Sequence, residues 1–113
     1  QIDDAARDVL ARGVQRLGWE GEVDAWFTHR TSHGIGLDVH EWLPVEHALE
    51  VGHVFTIEPG LYIDAEDTRV PERYRGVGVR IEDTIAISHD DGAPDVLTAG
   101  APRDAEGIEA LFG

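Results

Sequence analysis

The sequence predicts an α+β fold, an antiparallel sheet with flanking helices, on three observations. From Ile2 to Leu17 the apolar positions Ile2, Ala5, Ala6, Val9, Leu10, Gly13, Val14 and Leu17 recur at three and four residues, the stripe of an amphipathic helix. Val54 to Glu58 and Val77 to Ile87 alternate instead with a period of two, as half-buried strands do. Asp104 to Leu111 returns to a short helix with Asp104 as its N-cap. No repeat, linker or low-complexity segment divides residues 1–113, so the chain is expected to be one domain or part of one.

Each element has a local cause. Asp3 and Asp4 sit at the positive end of the first helix, Arg12 and Arg16 near its negative end, and Gly18 supplies a stop. Trp26 and Phe27 read as packing. Thr28 to Glu41 then holds three of the six histidines, His29, His33 and His40. Gly34 and Gly36 mark a backbone that bends or approaches something closely, and Leu37-Asp38-Val39-His40 alternates like a half-buried strand. In an unbroken strand His33 and His40 face opposite sides, so the glycines either bring them together or separate their roles. Glu41 to Pro44 reads as a loop, because proline cannot donate to a ladder and biases Leu43 to extended geometry. Glu50 to His53 is a turn into the Val54 strand; Pro59-Gly60 breaks that strand, and Leu61-Tyr62-Ile63 resumes it. Asp64 to Arg75 is a polar surface loop, Val77 to Ile87 one long strand, His89 to Pro94 a turn and Val96 to Thr98 a short strand.

Composition narrows the class. With 42% apolar and 28% charged residues the chain is globular, and no segment approaches the roughly eighteen apolar residues of a membrane span. Solubility is expected. A net charge of -14 without a basic cluster argues against nucleic acid and against a membrane as partner. No cysteine is present, which excludes disulfides and thiolate chemistry and fits a reducing compartment, so a cytoplasmic location is expected. The N-terminus has neither the basic nor the apolar part of a signal peptide and no initiator methionine, so the chain is expected to begin inside something longer.

His33, Glu58 and Glu82 place one imidazole and two carboxylates on three predicted strands, a mixed nitrogen and oxygen set suited to Mn, Co, Zn or Fe. Surface acids and a capped histidine would give the same pattern. A carboxylate inside a sheet needs compensation, from Arg80 two residues before Glu82 or from a metal ion. If the three are ligands, their donor atoms converge within about 5 Å of a common point.

Three stretches carry a resemblance. His-Arg-Thr-Ser-His-Gly-Ile-Gly-Leu-Asp-Val-His-Glu at 29–41, Val-Phe-Thr-Ile-Glu-Pro-Gly-Leu-Tyr-Ile at 54–63 and Arg-Gly-Val-Gly-Val-Arg-Ile-Glu-Asp-Thr at 75–84 resemble successive signatures of the pita-bread metallopeptidases. They are most similar to the Xaa-Pro peptidase branch, aminopeptidase P and prolidase. The resemblance implies a partial pita-bread fold, with residues 1–113 the C-terminal part of a single catalytic domain. It implies His33, Glu58 and Glu82 as metal ligands, with Glu82 bridging two ions. Glu58 would also handle the proton of the attacking water, His40 would bind substrate beside the scissile amide, His29 would line the site for the next residue, and Arg80 would orient Glu82. Two divalent ions (Mn, Co or Zn), proline-containing peptides as substrates and a homo-oligomer are implied for the longer protein.

That family uses five ligands, the first two being aspartates upstream of the histidine motif. Nothing from Gln1 to Phe27 resembles that pair, since Asp3, Asp4 and Asp8 fall on the predicted helix. The chain is therefore expected to be a half-site holding at most one ion weakly, and to be inactive alone. Two other functions belong to the same fold: a non-catalytic peptide- or protein-binding module, and a metal-free hydrolase resembling creatinase. Both are expected to have lost metal carboxylates that this sequence retains.

Overall fold

The structure, a computed structural model, describes residues 2–43, 48–89 and 93–113. Its elements are α1 (Ile2–Arg16), β1 (Val54–Ile57), β2 (Gly60–Tyr62), β3 (Gly78–Arg80), β4 (Asp83–Ile87), β5 (Pro94–Val96) and α2 (Ala105–Glu109). They fall into two compact units: Gln1–Ser32 with Glu58–Glu82, and His33–Ile57 with Asp83–Gly113. Pro44 and His47, and most of the turn expected between His89 and Pro94, lie outside the described residues. No helix among the described residues is long and apolar enough to cross a membrane.

In the first unit α1 ends as its sequence demands. Gly18, at φ +70°, donates to the Gln15 carbonyl, and Trp19 donates to that of Val14, which satisfies two of the last free carbonyls of the helix. Val14 and Trp19 then pack with Val23, Trp26, Phe27, Ile63 and Val70, and Ala6, Leu10 and Ala11 extend the helical face onto this core. The buried stripe is narrower than the apolar pattern, since Val9 and Leu17 stay exposed. β2 and β3 pair antiparallel, Gly60 opposite Arg80 and Tyr62 opposite Gly78.

The polar segment 64–75 is a surface loop with an inner anchor. Val70 is buried in the core, and the Trp26 indole donates to Asp67 at 2.8 Å while Arg69 grips the same carboxylate. The Arg69 hydrogen bond, aided by the Trp26 donor, holds the Asp67 carboxyl well below the usual range. A lowered native pKa stabilises the fold above the unfolded value of about 3.9, and this stabilisation is lost as pH falls through the native one. Thermal melts from pH 6 to pH 2 are thus expected to show acid destabilisation that Asp67→Asn reduces. An unchanged pH dependence in the variant would contradict this.

The second unit is a three-stranded sheet in the order β1-β4-β5. Phe55 lies opposite Ile85, and these two with Ile87 form its buried face. Gly34 bridges to Phe55 and Glu41, and the histidine stretch runs along β1, the Thr56 N–H donating to the His33 carbonyl and the Ile35 N–H to that of Val54. A turn at Glu50 to His53, with Gly52 at φ +95°, feeds β1 as expected. Asp104 caps α2 by accepting from the Gly107 N–H.

Three expected elements differ. Leu37 to His40 is a bend and turn without strand partners; Leu37 and Val39 are 105% and 83% exposed, and Glu41 accepts the Asp38 N–H instead. The run from Val77 to Ile87 is two strands in separate sheets, broken at Ile81-Glu82. β5 begins at Pro94, tolerated because this strand is an edge, and the Thr98 hydroxyl accepts the Thr84 N–H beyond it.

Candidate metal centre

The break in the strand run is where the two carboxylates meet. Pairing of Gly60 with Arg80 and Leu61 with Val79, carried two residues past the end of the ladder, sets Glu58 opposite Glu82. Pro59 removes a ladder donor between them, and like charges directly opposite disfavour pairing. The Glu58 side chain is only 12% exposed, with the Arg80 guanidinium 3.8 Å from it. Asp83, next to Glu82, is engaged elsewhere: Thr98 donates to it at 2.6 Å and Arg103 pairs with it.

His33 is half-buried. Its backbone holds Thr56 from two directions, the carbonyl accepting the Thr56 N–H and the N–H donating to Thr56 Oγ1. Nδ1 lies 2.8 Å from the Gly34 carbonyl, which can only accept, so Nδ1 carries the proton and Nε2 the lone pair. The His40 ring stands edge-on to His33, centroids 4.8 Å apart, so the glycines do bring the two histidines together.

One donor atom each of His33, Glu58 and Glu82 lies within 4.8 Å of the others. The convergence expected from the sequence is thus present. Residues 1–89 match the profile of Metallopeptidase family M24. The chain belongs to this family.

Among its M24 relatives, the chain is 41% identical to Xaa-Pro aminopeptidase 1 of Streptomyces coelicolor, the match covering 94% of this chain and 24% of that protein. Aminopeptidase P from Escherichia coli with the inhibitor Pro-Leu superimposes with a TM-score of 0.81 at 36% identity, covering 97% of this chain and 27% of that one. Zinc-substituted E. coli aminopeptidase P in complex with product gives a TM-score of 0.81 at 37% identity over the same shares. The fold is accordingly part of the pita-bread fold, and the chain spans about a quarter of the length of these relatives.

The donor set of this M24 chain fits a divalent ion. An imidazole with its second nitrogen fixed on a backbone carbonyl is the usual form of a metal-ligating histidine, and two opposed carboxylates favour a cation between them. His29 lies in the same unit as Glu58: its Nδ1 contacts the Arg30 carbonyl at 2.7 Å and its Nε2 the Tyr62 hydroxyl at 3.0 Å. Because the carbonyl fixes the proton on Nδ1, Tyr62 donates to His29 and accepts from Arg80 at 3.2 Å. Tyr62, and Glu58 and Glu82 behind it, hold the Arg80 charge more firmly than usual. Arg80 contacts Tyr62 and Glu58, and the Glu82 charge also acts on it.

Tyr62 is the site residue that sequence reading missed. Its ring lies along the sheet face over two glycines: a Cβ on Gly60 would meet its hydroxyl at 2.8 Å, and one on Gly78 its ring at 3.0 Å. The available signal was period two, which sets Glu58, Gly60 and Tyr62 on one face.

Proposed function

We propose that this chain supplies three ligands, His33, Glu58 and Glu82, to the dinuclear centre of an Xaa-Pro aminopeptidase that cleaves the bond before a proline. The convergence of those donors in an M24 chain carries the reading. The named activity of the relatives favours aminopeptidase over dipeptidase. Mn, Co or Zn suits the donors, and a cytoplasmic, homo-oligomeric parent fits the cysteine-free sequence and the family. When bound, the ions supply Lewis-acid polarisation and activate water.

The chain's own residues do the rest. Glu58, steadied by Arg80, takes the proton of the attacking water. His40, exposed beside His33, binds substrate at the scissile amide, and His29, its tautomer set by Arg30 and Tyr62, receives the residue that follows.

Calorimetric titration of the 113-residue chain with Mn²⁺ and with Zn²⁺ tests this. One weak site is expected, abolished by His33→Ala and kept by His47→Ala, a histidine outside every motif. Two tight sites, or binding indifferent to His33, would overturn the half-site reading.

A further inference from the structure

Asp3 does not act as an ordinary acid of a helix N-terminus. Its carboxylate leaves α1 and accepts the Thr31 N–H at 2.7 Å, with Arg30 at 3.8 Å from its other oxygen. Thr31 is completely buried, and its carbonyl accepts the Glu58 N–H at 2.7 Å. A regular antiparallel pair would return the Thr31 N–H to the carbonyl of residue 58; here a side chain from α1 takes that place. The Thr31 hydroxyl has no hydrogen-bond partner among the described residues, so this buried residue is held through the Asp3 and Glu58 bonds of its backbone. Without Asp3 the buried N–H would be orphaned, and the segment must move to satisfy it. Any such movement carries the Glu58 backbone with it.

We propose that Asp3 is a positioning residue for Glu58, acting through the Thr31 backbone. Its consequence for metal rests on the function proposed above. Its consequence for the backbone does not.

Amide hydrogen exchange by NMR on the 113-residue chain provides the test. Asp3→Ala and Asp3→Leu, the second keeping side-chain bulk, are expected to speed exchange at Glu58 by roughly tenfold or more. Exchange at Trp19 and Phe27, whose amides bond to Val14 and Val23 in the same unit, is expected to stay within about twofold. Asp3→Asn retains an acceptor oxygen and restores protection, whereas Asp8→Ala, an equal loss of charge on α1, changes nothing at Glu58. Mn²⁺ titration of the same variants is expected to show Kd weakened about tenfold by Asp3→Leu and unchanged by Asp3→Asn. Normal Glu58 exchange in Asp3→Leu, or an Asn variant as fast as Leu, overturns the proposal. Absence of Mn²⁺ binding in the unaltered chain instead overturns the metal reading, while the exchange rates still decide the role of Asp3.

Discussion

A longer polypeptide that adds the two upstream aspartates is expected to hydrolyse Xaa-Pro peptides, and His40→Ala to reduce its turnover on the order of a hundredfold without loss of metal. The separation of roles follows from the geometry. His33 has its Nδ1 proton on the Gly34 carbonyl, a bond that does not involve His40. His40 touches His33 only edge-on, so its removal leaves the three donors in place while the transition state loses a partner. The 113-residue chain by itself is expected to give no turnover even at high Mn²⁺, because a single loosely held ion cannot clamp both the nucleophile and the carbonyl. Assays of a proline-containing tripeptide with both polypeptides, alongside metal analysis of the His40 variant, check this. Turnover by the short chain after removal of contaminating peptidases, or metal loss on His40→Ala, would refute the division of labour.

Trp26→Ala is expected to cost about 3–5 kcal/mol, a large share of the roughly 5–15 kcal/mol that holds a domain together. Trp26 is 1% exposed and sits at the meeting point of the first unit. Trp19 packs edge-on against it at 5.3 Å, the Arg69 guanidinium covers its ring at 5.3 Å, and its indole N–H ties Asp67 and the 64–75 loop to the core. Trp26→Phe keeps most of the volume and loses the donor, so it is expected to cost clearly less, because Asp67 retains Arg69. Urea titrations of both variants decide it: an alanine cost below about 1.5 kcal/mol, or equal costs, would show that the indole is not the anchor.

Much of this was legible in the chain because the cause was local. The α1 stripe, the Gly18 stop, the Asp104 cap and the turn before β1 need only neighbours in sequence, and all are present. The convergence of His33, Glu58 and Glu82 was legible because each ends or interrupts an apolar run where a carboxylate or imidazole has no bland reason to be. What failed was alternation taken alone. Leu37 to His40 has the period of a strand, but a strand needs partners, and none of its residues enters a ladder. Val77 to Ile87 reads as continuous because nothing within it breaks a strand; the break falls where Glu58 and Pro59 face it across the pairing, which only the register reveals. The partners of Arg80 and the burial of Tyr62 against two glycines are likewise relations between strands.

The facing of Glu58 and Glu82 makes the two states of this chain unequal. Without a cation the pair repels, with the Arg80 guanidinium 3.8 Å from the Glu58 carboxylate. Under the function proposed above, the same groups would hold the ion. A substitution that relieves the repulsion, such as glutamine at either position, is expected to make the empty chain sturdier while removing a proposed ligand. Screens that rank variants by stability alone would favour such losses.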